Sequence, residues 1–266
     1  MNINKQMDPS YKPGIDMSSM TDYLHFRTFV PREDALQKQV LFCLTVALDT
    51  TGSMRSAIES AKSKIQQIFD NLKKIQRENN VKEGGIVGQI VQYKDYHDRC
   101  NADNNCSITS DINELERRLH SFDADGGSDC GCEDMHYAIE CALNNMEKSP
   151  YKDYAHLLLI VGDINCHGDY DGCSCSERIH PDFGIPITEV WPRYFRRMKN
   201  FNNLQISFIP IRNNRLTYTF NRFKSDSGLN VTCENNTSGD MLSEIIESIS
   251  ETHYRKLIGI SKNRRY

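Results

Sequence analysis

Val40-Leu41-Phe42-Cys43-Leu44-Thr45-Val46-Ala47-Leu48, continuing into Asp49-Thr50-Thr51-Gly52-Ser53-Met54, is the stretch whose reading decides the fold. The first nine residues are almost wholly apolar. Behind the polar turn, Met54, Ile58, Ala61, Ile65, Ile68, Leu72 and Ile75 recur every three or four residues. That pattern predicts a buried strand over about 40–48, a short turn, and a long amphipathic helix over about 54–78. The turn carries three oxygen-bearing side chains two residues apart: Asp49, Thr51 and Ser53.

The same alternation repeats down the chain. A second strand is expected at 86–93, after Glu83-Gly84-Gly85, and a helix at 112–120 capped by Asp111. Ser107 to Thr109 reads as a short antiparallel edge strand. The turn Asp123-Ala124-Asp125-Gly126-Gly127-Ser128-Asp129 leads into a helix with Met135, Ile139, Ala142, Leu143 and Met146 on one face. Ala155 to Val161 is unbroken and apolar, as expected of a central parallel strand covered on both faces, and it ends at Gly162-Asp163. Helix 189–200 (with Trp191-Pro192 at its start), strand 204–211, helix 215–224, a short strand near 229–233 and a helix near 240–257 complete the series. Strands alternating with helices predict a doubly wound, mostly parallel α/β sheet with helices on both faces.

Composition bounds the possibilities. A chain of 266 residues with 38% hydrophobic and 26% charged residues fits a globular α/β protein. A formal net charge of −4 argues against nucleic acid or an acidic membrane surface as partner. No apolar run approaches the roughly 20 residues of a membrane span. Residues 1–38 are polar, lack the apolar core of a signal peptide, and read as an N-terminal extension. A domain over 39–257 and a basic tail over 258–266 follow, and the expected location is cytoplasmic.

In open α/β sheets, ligands bind beyond the carboxyl ends of the strands, where the strand order reverses. Asp49 and Asp163 each follow a strand, and the turn before the 135–146 helix lies at the same end. Three distant segments therefore converge on one edge. Asp49, Thr51, Ser53, Ser128, Asp129 and Asp163 form a set of hard oxygen ligands, suited to Mg²⁺, Mn²⁺ or Ca²⁺. Mg²⁺ needs few protein oxygens, which leaves a position open to an incoming carboxylate beside a helix N-terminus. The bland alternative is that these are ordinary turn and cap residues.

Asp49-Thr50-Thr51-Gly52-Ser53 resembles the Asp-x-Ser/Thr-x-Ser signature of von Willebrand factor type A (VWFA) domains, the core of their metal-ion-dependent adhesion site. The resemblance covers about 39–257. Gly126-Gly127-Ser128 falls where that family has Gly-Gly-Thr, and Val161-Gly162-Asp163 where it has Thr-Asp after an apolar strand. Tyr93 to Asp98, Gly126 to Asp129 with Glu133-Asp134, and Cys166-His167-Gly168 are similar to A domains found beside alpha-type protein kinases. Kinase activity is not expected to carry over. The resemblance implies a Rossmann-like fold and a metal-dependent adhesion or scaffold module whose cation coordinates an Asp or Glu of a partner protein.

Two further groups stand out. Asp95, His97 and Asp98 follow the second strand and would line the ligand rim, bind a second cation or form a polar loop. Cys130, Cys132, Cys166, His167, Cys173 and Cys175 flank the same face and suit a structural Zn²⁺ or a disulfide, although the spacing is Cys-x-Cys rather than Cys-x₂-Cys. His97, His136, His156 and His167 have no partner by spacing. The competing functions are a metal-dependent phosphoryl-transfer enzyme with Asp49 as nucleophile, and a structural protein of this fold that has lost its metal. The acids and lysine that the phosphoryl-transfer chemistry needs are not evident, so no catalytic role is expected.

Overall fold

Five parallel strands lie in the order β2-β1-β3-β4-β5: β1 (Phe42–Asp49), β2 (Ile86–Tyr93), β3 (Ala155–Gly162), β4 (Leu204–Pro210) and β5 (Val231–Cys233). The structure, a computed structural model, describes residues 39–95, 98, 107–127, 132–168, 179–181, 183–212 and 215–259. The expected extension at 1–38 lies outside them. So does all of the tail beyond Gly259.

Among the described residues five α-helices lie between the strands and a sixth follows β5: α1 (Arg55–Glu78), α2 (Ile112–His120), α3 (Met135–Met146), α4 (Ile187–Met198), α5 (Thr217–Asp226) and α6 (Leu242–Leu257). β1 and β3 are buried along their whole length because both faces are covered, which explains their unbroken apolar runs. Alternation still sorts the side chains. Phe42, Leu44, Val46 and Leu48 pack with α1, α2 and α6, whereas Cys43 and Ala47 face α3, α4 and α5. The Asp111 carboxylate caps α2 by accepting the backbone N–H groups of Asn113 and Glu114.

Two expectations change. At the antiparallel edge, a single bridge joins Thr109 to Gly88, so residues 107–109 do not make a strand among the described residues. Pro192 does not start its helix. α4 begins at Ile187, and Pro192 sits in its second turn, where it lacks the N–H that would bond the Thr188 carbonyl. Packing compensates: Trp191 is buried against Phe195, Phe223 and His136.

The chain runs from β1 to β2 on one side, then crosses so that β3 pairs with β1 on the other. The strand order therefore reverses between β1 and β3. Asp49 ends β1 and Asp163 follows β3, so both stand at the switch point. No helix among the described residues is long and apolar enough to cross a membrane.

Candidate metal centre

Register sets the site. Leu48 pairs with Val161, which places Asp49 beside Gly162 and hence beside Asp163. Past Asp49 the backbone turns sharply. The Thr51 N–H and hydroxyl both donate to Asp49 Oδ1, at 2.9 and 2.7 Å, and the Thr51 and Ser53 hydroxyls stand 3.3 Å apart. The three side chains two residues apart in sequence thus form one continuous row of oxygens. The glycine turn is zipped to this loop: Gly52 N–H donates to Gly126 O (3.1 Å) and Asp125 N–H to Thr50 O (3.3 Å). A Cβ on Gly52 would stand 3.4 Å from that same Gly126 carbonyl.

A cleft of about 370 Å³ opens here, lined by Thr51, Ser53, Gly126, Gly127, Glu133, Asp163, Ile164 and Arg215. Asp49 is fully buried behind Thr51, and its Oδ2 has no hydrogen-bond partner. Glu133 is also buried, and its Oε2 is likewise without a partner. Burial and the charge of Asp163 push the Asp49 carboxyl up to about 7. Burial, then Asp49 and Asp95, push Glu133 up to about 10. Several carboxyl groups are therefore crowded together with too few protein donors among them. Buried acids with orphaned oxygens are costly unless a proton or a cation compensates them.

Tyr93, Lys94, Asp95 and Asp98 brace this edge. The Tyr93 hydroxyl donates to Val161 O at 2.9 Å. Lys94 pairs with Asp125, and its carbonyl accepts the Asp134 N–H at 2.9 Å. Asp95 is buried and lies 2.7 Å from His167 Nε2. The Asp98 carboxylate accepts the Gly127 N–H, and a Cβ on Gly126 would overlap that carboxylate, at a position where φ is also +70°. Three loops are thereby tied to the end of β2.

Tyr93 also fills the space beside Gly162: a Cβ there would fall well inside contact distance of the Tyr93 hydroxyl.

Of the anticipated metal ligands, Asp49, Thr51, Ser53 and Asp163 are brought together. Ser128 and Asp129 lie outside the described residues, as does His97 of the anticipated rim. Of the anticipated zinc or disulfide group, Cys130, Cys173 and Cys175 also lie outside. Cys132 and Cys166 are buried, and His167 is engaged with Asp95. Glu133 was not foreseen as a site residue. The signal was there: Asp134 caps α3 through the Tyr137 N–H, which leaves the adjacent buried acid without a structural task. His156 is core, as its place on an apolar strand suggests. Burial lowers its imidazole to about 4.

No protein-family model matches the chain, and no curated protein matches it in sequence. Solved structures do match in fold. The SpaC pilus adhesin of Lactobacillus rhamnosus GG aligns over 83% of this chain and 32% of its own, with 10% identity and a TM-score of 0.53. Proximal thread matrix protein 1 from the mussel byssus aligns over 80% of this chain and 48% of its own, with 10% identity and a TM-score of 0.45. This chain spans less than half the length of either protein. The likeness to the adhesin is one of fold alone.

Proposed function

We propose that this protein is a divalent-cation-dependent protein-binding module, not an enzyme. Mg²⁺ or Mn²⁺ would be held at the cleft by Thr51, Ser53 and the carboxylates of Asp49 and Asp163, with the Gly126-Gly127 turn leading to Ser128 and Asp129. The observation that carries this reading is the pair of buried, partnerless carboxyl oxygens, Asp49 Oδ2 and Glu133 Oε2, beside one open cleft. A hard cation supplies the missing positive charge and accepts oxygen ligands from outside the protein. Few protein oxygens are available, so a coordination position stays open for the Asp or Glu of a partner. Arg215 at the cleft wall favours an anionic visitor. The resemblance of the Asp49–Ser53 turn to adhesion-type domains agrees with this chemistry, as does the fold shared with a pilus adhesin.

Mn²⁺ reports directly on the open position, because its bound waters speed proton relaxation. A peptide with a single glutamate should displace such a water and lower the relaxation enhancement, whereas its glutamine counterpart should not. Asp163→Asn should abolish the effect. Enhancement that is equally indifferent to both peptides would rule out carboxylate docking.

A further inference from the structure

Away from the cleft, the start of α3 carries a second group that the proposed cation site does not use. Asp134, the N-cap of α3, lies with Oδ1 3.1 Å from His180 Nε2. His136, in the first turn, is fully buried, with its ring 4.5 Å from Trp191 and 5.3 Å from His180 between centroids. Neither ring nitrogen of His136 has a hydrogen-bond partner. One ligand-capable atom from each of Asp134, His136 and His180 lies within 4.8 Å of the others.

We propose that Asp134, His136 and His180 bind a zinc ion. An imidazole sealed in a core with both nitrogens unpaired is an unexplained cost, because a buried polar group normally finds a partner. A cation removes that cost by taking a nitrogen lone pair. Two imidazoles and one carboxylate form a borderline-soft set that suits Zn²⁺ far better than Mg²⁺, with a fourth position left to water. The spacing agrees. Tetrahedral zinc with bonds of roughly 2.0–2.1 Å separates its ligands by about 3.3 Å. The Asp134–His180 edge is already near that value, and the ligand atom of His136 lies within 4.8 Å of both.

The scaffold holds the ligands independently of the metal. His180 sits in a tight turn: its N–H donates to Ile185 O at 2.8 Å, and its carbonyl accepts the Gly184 N–H at 2.9 Å. Its ring stacks on Phe183 at 4.0 Å. Ile179 and Pro186 bridge at the base of this turn. Zinc would therefore staple the 179–186 turn to the first turn of α3. Asp134 directly follows Glu133, so the staple would also steady the acid that lines the cation cleft.

The test uses the full chain, purified without chelator, equilibrated with Zn²⁺ and freed of excess. His136→Phe keeps a ring against Trp191 and removes both nitrogens. Elemental analysis should show that bound zinc falls by one equivalent in His136→Phe but not in Asp49→Ala, which separates this site from the proposed Mg²⁺ site. X-ray absorption of the wild type should show nitrogen and oxygen neighbours near 2.0–2.1 Å. Zinc should raise the thermal midpoint of the wild type and leave that of His136→Phe unmoved. His180→Asn, which removes the other buried imidazole, provides the same reading if His136→Phe does not fold. No zinc uptake, a shell dominated by sulfur, or unchanged stoichiometry in the folded variant would overturn the proposal.

Discussion

Replacing Gly162 by alanine probes the edge of the sheet on which the site is built. The Gly162 φ is not in the left-handed region, so alanine is conformationally permitted. In open space the change would stabilise by about 0.4–1 kcal/mol through the unfolded chain. Here the new methyl meets the Tyr93 hydroxyl. Tyr93 is fully buried and cannot swing away, so overpacking should dominate, at about 1–3 kcal/mol destabilising. Tyr93→Phe alone forfeits the hydrogen bond to Val161 O, at about 1 kcal/mol. It also removes the one clashing atom, because the next nearest atoms, Asp49 Cβ and Oδ2, stand at an ordinary 3.5 Å. The double variant should therefore be no less stable than Tyr93→Phe, with a coupling of roughly 2 kcal/mol. Urea denaturation of the four proteins at constant m-value measures it. Costs that add to within about 0.5 kcal/mol would refute the claim that Tyr93 fills the space beside Gly162.

Two further outcomes follow from buried polar groups. His156 has its imidazole lowered from 6.5 to about 4 by burial, so between those pH values the unfolded chain takes up a proton that the folded chain refuses. Stability from this group is complete above pH 6.5 and is lost as pH falls, approaching roughly 3 kcal/mol below pH 4. His156→Phe should flatten that part of the denaturation profile, and parallel profiles would contradict it. Breaking the buried Asp95–His167 pair by Asp95→Ala should cost about 3 kcal/mol in chemical denaturation, because a buried imidazole loses its carboxylate. A change within 0.5 kcal/mol, the scale of ordinary surface substitutions, would remove the bracing role assigned to the segment after β2.

The sheet was legible because its strands are covered on both sides. Burial on both faces forces apolar runs such as Ala155 to Val161, and the helices between them declare one apolar face. The convergence of Asp49 and Asp163 followed from topology alone, since parallel strands bring their carboxyl ends to one edge. Other features depend on contacts that no local pattern encodes. Tyr93 reads as the last residue of an apolar strand, and only the registers of β2 on β1 and of β1 on β3 reveal that its hydroxyl fills the space at Gly162. Asp95 and His167 are 72 residues apart, and their pairing is invisible to spacing. Pro192 reads as a helix start because proline favours the first turn, but the packing of Trp191 carries α4 across it. His136 offered no partner by spacing for the same reason: His180 reaches it from a separate turn. The cysteines drew attention by their number, yet the metal-capable group among the described residues uses imidazoles and a carboxylate.

Calorimetric titration of the apo protein with Mg²⁺ and with Mn²⁺ tests the central claim most directly. Asp49 Oδ2 is the buried oxygen that a cation would satisfy, so the wild type should give a saturable one-site heat that Asp49→Ala abolishes and His136→Phe retains. No heat from the wild type with either ion, or an isotherm that Asp49→Ala leaves unchanged, would contradict a cation site at the end of β1.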